Sequence, residues 1–435
     1  MKTICKSSAF IAVFVSFFSM SVCSQNSDMP EAVKKALKNM SGFINVQNST
    51  LVVKDSTIDV SLPDQSVALV GKDGNLTLQK CILKKSSGHV TNKDACLQYG
   101  LNSCILVNGE NAKVNIDNVA IKADAMGAGA VFAANAGTMV NIKNLTLRSI
   151  MGGSRGLVAV QGAQIVADGV DLSTLGVQCA AVSAEQTQSS ITVKNGTLNT
   201  SGMNSPTIFA SGKINVQDAV IQSLVSECAV IDGGGEISIS NSSFSSGNDN
   251  IFFVYQSGEG EKSESKLSIR SGSLDVGSAT LFYATNINTQ IEMKGVHMLN
   301  LKKKSILLNA TADKWGKRGE NGANVELLLT DQEITGQILC DNQSSCKVQL
   351  SKQTIWTGAI NAKQSSKTVG VALDETAQWI LTSHVYLSEF SDAKADLSNI
   401  NSQGFNIYYD KSNPANAWLN GETRALKEGG KLIAK

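Results

Sequence analysis

An eight-residue pattern that returns along most of the chain limits its possible folds more than any other feature. It reads apolar-x-apolar-x-x-small or apolar-x-apolar, first at Leu51 (LVVKDSTI), then at Leu76 (LTLQKCIL), Val114 (VNIDNVAI), Val140 (VNIKNLTL), Ile165 (IVADGVDL) and Ile191 (ITVKNGTL). Copies follow at Ile214, Ile237, Leu267 and Ile291. Val325 (VELLLTDQ) is an imperfect copy, and Val348 (VQLSKQTI) closes the series. Eight of the eleven intervals between starts lie between 23 and 26 residues, too narrow a spread for chance. A second short apolar segment sits partway through each unit, as in SVALVG from Ser66, AVFAAN from Ala130, LVAVQG from Leu157 and TLFYAT from Thr280.

The alternation has period two, the period of a strand. Gly, Asn, Asp and Ser fill the joints, where turns need them. A unit of this length with two or three short strands is one coil of a solenoid. The sequence therefore predicts an all-β fold, a right-handed parallel β-helix of about twelve or more coils over 51–370, stacked at about 4.8 Å. A leucine-rich-repeat horseshoe needs Leu at fixed offsets, whereas Val, Ile, Met, Phe and Ala are all accepted here. Single coils cannot bury their apolar faces alone, so neighbours must stabilise one another.

The ends read differently. Residues 1–24 have the form of a secretory signal: basic Lys2 and Lys6, an apolar run from Ala9 to Phe18, and small residues at Ser21–Ser24. Lipidation at Cys23 is the alternative. The apolar run is too short to span a bilayer, and no other segment is long enough. The sequence thus predicts an exported protein, extracellular or on the outer cell surface, with the periplasm as the alternative. Within 25–50, Pro30 to Asn39 reads as a short amphipathic helix with Asp28 as N-cap. Its apolar side (Val33, Leu37, Met40) is expected to cover the open first coil, since a bare solenoid edge invites other strands.

Three intervals are long, and their extra residues fall at 84–103, 257–266 and 311–324. The last two follow the second strand of their coils, so they are expected to leave the same edge two coils apart. The final insertion, TADKWGKRGENGAN, holds Lys314, Trp315, Lys317 and Arg318. An indole between cations is a candidate ligand platform, able to stack on a sugar or an apolar partner group.

Composition argues against several functions. With 38 basic and 37 acidic residues, and five Arg among the former, nothing marks a nucleic-acid partner. Glycoside hydrolysis needs two carboxyl groups across the scissile bond. The chain shows no Asp-Asp pair and no Gly-His-Gly, and Asp232, Asp249 and Asp275 read as turn residues. Three His and no CxxC leave little for a metal, so no metal, cofactor or catalytic residue is expected. In an oxidising compartment the close pairs Cys96/Cys104 and Cys340/Cys346 are candidate disulfides.

Over 371–435 the repeat loosens. The run AQWILTSHVYLSEF from Ala377 and the closing NIYYDKSNPANAWLNGETRALKEGGKLIAK from Asn406 resemble the passenger β-helix of pertactin-type autotransporters and related exported adhesin-like proteins. The likeness covers about the last 65 residues in detail. It implies a stable C-terminal folding end and a role in adhesin-like contact with a host or envelope glycan or a surface protein, with self-association as a further option. No run of alternating membrane strands follows, so the chain reads as a passenger without its translocator barrel. A structural envelope component is the alternative role.

Overall fold

The computed structural model describes residues 29–277, 280–299 and 305–435. The signal-like segment 1–24 and the proposed cap Asp28 lie outside the described residues. The chain winds into an all-β parallel solenoid of about 15 turns. One sheet of twelve strands runs from Ser41–Val46 to Gln337–Cys340, every neighbour pair parallel and one turn apart. A second long sheet runs beside it from Thr50–Lys54 through Lys113–Ala123 and its successors to Glu389–Asp392.

The octamer is the second sheet's signature. In Lys113–Ala123 it forms one bent strand, with Val114, Ile116, Val119 and Ile121 all buried. Two outward residues in succession would break a flat strand's alternation, so the chain turns a corner between Ile116 and Val119. Asn118 takes that corner with φ of 54°. Asn144, Asn195, Asp218 and Asn241 repeat the left-handed conformation, which short polar side chains tolerate best. Their side chains link turn to turn: the Asn144 amide donates to Asn118 Oδ1 at 3.1 Å, and Asn195 to Asp168 Oδ1 at 2.7 Å.

The imperfect copy at Val325 marks a change of cross-section. From there the corner opens, and Glu333–Thr335, Ile355–Gly358, Gln378–Leu381 and Ile400–Asn401 form a third parallel sheet. Gln332 is buried at the change, pairing both ways with the Val296 backbone at 2.9 and 2.7 Å. In this region Trp356 and Trp379 are wholly buried and stacked, ring centroids 5.1 Å apart.

Two expectations change here. The N-terminal helix, Glu31–Leu37, buries its apolar side against a second helix and not against the solenoid's main core. The 84–103 insertion folds into a second helix, Lys93–Tyr99, and the two pack together through Val33, Ala36, Ala95 and Leu101 on the outer side of the first sheet. That side offers an apolar floor, Leu106, Phe132 and Val158. Gly100 ends the second helix at φ of 71° and packs so close that a Cβ there would meet the Phe132 ring at 2.4 Å.

The candidate disulfides are the second correction. All seven described cysteines are free and buried. Cys96 lies in the second helix with its thiol toward the Gly127 carbonyl at 3.5 Å, whereas Cys104 sits in the solenoid's main core. Cys340 donates to Ser344 O at 3.1 Å, while Cys346 packs in the core row of the next strand. Burial pushes the Cys96 and Cys104 thiols up to about 12, which suits small apolar packing groups.

Candidate functional site

On the outer face of the first sheet, successive strands set residues in columns one rung apart. Register places Val158, Ser183, Phe209, Val230, Phe253 and Tyr283 in one column. Outward positions of a solvated sheet are normally polar. Here, Ser183 apart, they are apolar or aromatic, and two covers flank them: the helices at one end, the two inserted loops at the other.

The loops leave the same edge, as the spacing implies, and they touch. Lys262 Nζ donates to Gly322 O at 2.5 Å, and the Asn286 amide, from the turn between them, donates to Gln256 O and Gly258 O at 2.8 and 2.9 Å. Asn321 is 3% exposed and fastens the second loop inward by donating to Asp313 O and to Trp315 O.

Trp315 is not a free-standing platform. It is half-buried and leans on Tyr255, ring centroids 4.8 Å apart. Tyr255 stacks on Phe253 at 4.5 Å and 8°, and Phe253 meets Tyr283 edge-on at 5.4 Å. In a chain with only 5% aromatic residues, four rings thus run in one line across two neighbouring strands and a loop. The Lys314 ammonium lies 5.2 Å from the Trp315 centroid, within cation–π range. Lys317 pairs with Glu320 at 2.7 Å, and Arg318 is exposed at the loop tip. Of the four residues the sequence offered, Trp315 and Lys314 join the cluster, while Lys317 and Arg318 lie at its rim.

Tyr283 donates to Asp313 Oδ2 at 3.0 Å, which raises its phenol further above the usual range than burial alone. Asp232 sits in the adjacent column, one rung before Tyr255. Burial holds its carboxyl above the ordinary range, opposed by the Ser257 N–H donating to Oδ1 at 2.9 Å. Toward the helices, Arg155 pairs with Glu185, also donates to Leu97 O at 2.6 Å, and lies 5.8 Å from the Phe132 ring. Tyr255, Tyr283 and Phe253 escaped the sequence reading because IFFVYQ and TLFYAT look like any buried strand. Only the register shows which alternate residues face out.

Elsewhere, an open groove of about 560 Å³ follows the second-sheet corner past Lys80, Ile82, Asn118, Asn144 and Gly169. Among the described residues no three Cys, His, Asp or Glu side chains come together as a metal site, and no helix is long and apolar enough to cross a membrane.

The architecture and this surface define the class: a parallel β-solenoid carrying an aromatic line on its outer face. Compared with family models, curated proteins and solved structures, the chain matches none.

Proposed function

We propose that the protein is an exported, adhesin-like binding solenoid of the pertactin-passenger kind, which holds a glycan chain on the outer face of its first sheet. One observation carries this reading: the half-buried rings of Tyr283, Phe253 and Trp315, joined through the wholly buried Tyr255, form a continuous line bordered by inserted loops. Sugar rings stack on aromatic faces through their C–H groups. Hydroxyls need acceptors beside the rings, and Asp313 and Asp232 stand there. Rungs about 4.8 Å apart give an extended polymer a regular track. Stacked sheets supply rigidity, so little ordering cost falls on the protein side.

The test is a glycan array with the mature chain, followed by titration of hits against Trp315→Ala and Tyr283→Ala. Binding should weaken at least tenfold in each variant with an unchanged far-UV spectrum. Retained binding in both, or no binding to any glycan, would overturn the reading. Asp232 favours a second reading, hydrolysis, because a buried carboxyl with a raised pKa suits a general acid. Glu185 lies two rungs before it, roughly 10 Å away at strand spacing, but is engaged by Arg155. We expect no new reducing ends from bound glycans. Their release, abolished in Asp232→Asn, would establish the enzyme instead.

A further inference from the structure

The corner leading from the second sheet into the first carries an apolar ridge apart from the aromatic line. Leu224 is 66% exposed, Met203 56%, Val177 49% and Val225 46%, with Ile150 and Leu175 beside them. These residues come from consecutive turns, tied rung to rung by the backbone: Leu175 N donates to Ser149 O at 2.9 Å, Leu224 N to Thr200 O at 2.8 Å, and Gln178 N to Met203 O at 3.1 Å. The segments 150–154, 175–178, 201–205 and 224–226 contain no Lys, Arg, Asp or Glu. The Asn-lined corner differs: Asp117, Lys143, Asp168 and Lys194 sit on it.

The exposure is built in. Beneath each ridge segment the inward position is taken by a buried hydroxyl or thiol that satisfies the turn's backbone. Ser149 Oγ donates to Ser154 O at 2.8 Å, Thr174 Oγ1 to Cys179 O at 2.5 Å, and Ser205 Oγ to Gly176 O at 2.9 Å. Thr200 Oγ1 donates to Ser223 Oγ at 3.1 Å. Replacing this polar row with the ridge side chains would orphan those carbonyls, at about 1–3 kcal/mol each. The apolar residues are held outward across four turns.

We infer that this ridge is the contact surface for a second copy of the chain. The exposures of these six residues amount to on the order of 500 Å² per copy, in the upper range of what a monomer usually shows and the larger part of the ~800 Å² per partner of a standard stable interface. A straight, uncharged ridge with a constant rung spacing is its own complement: a two-fold axis lays one copy against the other in antiparallel fashion. Nothing in its charge selects a different partner. The aromatic line lies on another side of the turn, so a dimer presents two such lines.

Sedimentation velocity of the mature chain across the micromolar range tests this. A concentration-dependent dimer is expected, and Leu224→Asp with Met203→Asp should weaken it at least tenfold at unchanged far-UV spectrum. If that variant does not fold, Leu224→Ser with Met203→Ser carries the same expectation. Ser201→Cys gives an independent readout, because the seven described native cysteines are buried: a bismaleimide should join two copies. A wild-type chain that stays monomeric throughout, or a dimer indifferent to the ridge substitutions, would overturn the inference. So would a monomer that floats with phosphatidylcholine vesicles and loses them in the Asp variant, which would give the ridge to a membrane surface.

Discussion

At the C-terminal end, side chains close the last strand of the long second sheet, whereas at the N-terminal end the first turn lies open. The Phe390 N–H donates to Asn416 Oδ1 at 2.8 Å, and Trp418 Nε1 donates to Phe390 O at 3.0 Å. Asn416 also donates to Ser388 O and Asp410 O, so one buried amide fastens three backbone groups. Behind this plug lie Trp379 and Trp356, whose indoles donate to Gly358 O and Gly336 O at 3.2 and 3.0 Å. In the first turn, Leu51 belongs by register to the same inward row as Leu76, yet it is 40% exposed. Its helices have gone to the side of the rod. In a nearest-neighbour stack stability then differs along the rod, with the C-terminal turns as the firm end.

The largest effect that tests this contrast is expected at the indole stack. Trp379→Ala should cost about 3–5 kcal/mol, the usual range for a buried large aromatic, and it also orphans the Gly358 carbonyl. Denaturant unfolding followed by the fluorescence of the remaining Trp residues measures it. A loss below about 1 kcal/mol would show that the C-terminal turns are not the firm end. Asn416→Ala should come next, at about 2–3 kcal/mol, since it strips partners from buried backbone groups. Hydrogen exchange should then show the strand Glu389–Asp392 losing protection first.

The contrast between the ends also marks how far the sequence could be read. The winding was legible because an octamer with a double outward step has one comfortable geometry, a strand folded at a left-handed Asn. Val325 was legible as an irregularity but not as the start of a third sheet: pattern alone does not say that Gln332 will be buried to bridge the change. The helix Pro30–Asn39 was legible by its apolar side. Its seat was not, because that depended on Leu106 and Phe132 facing outward and on the 84–103 insertion supplying a partner. Trp315 stood out by chemistry, yet its partners Tyr255 and Tyr283 lie in strands whose facing only the register fixes. The pair Cys96/Cys104 misled because short spacing ignores which layer each residue occupies: one lies in the second helix and the other in the solenoid core.

A smaller effect sharpens the N-terminal side. Lys85 is fully buried at the head of the inward column that continues as Ala123, Ser149 and Thr174. Its ammonium donates to Leu62 O at 2.5 Å, and burial lowers its pKa from 10.5 to about 8. Between those values the unfolded chain binds the proton and the folded chain does not, so stability should rise with pH across that window. Below about 8 the charge is present in both states and the full burial penalty applies. Lys85→Met should therefore gain of order 2 kcal/mol at pH 7, less whatever the Leu62 hydrogen bond contributes, and should flatten the pH dependence. Unfolding of both proteins at neutral and alkaline pH checks the sign. A wild-type chain that loses stability over that window would remove the buried amine from the account.

The smallest effect is the most direct probe of the open end. Leu51→Ala should cost less than about 1 kcal/mol, because a side chain already partly in water has less transfer energy and no closed cavity to lose. The equivalent change one rung inward, Leu76→Ala, should cost about 2–5 kcal/mol, since Leu76 is wholly buried. The ratio of the two separates position from chemistry: same residue, same column, neighbouring turns. Amides of Thr50–Lys54 should likewise exchange well before those of Asn75–Gln79. Equal costs and equal protection would mean that something covers the first turn in solution, and the two ends would then be finished alike.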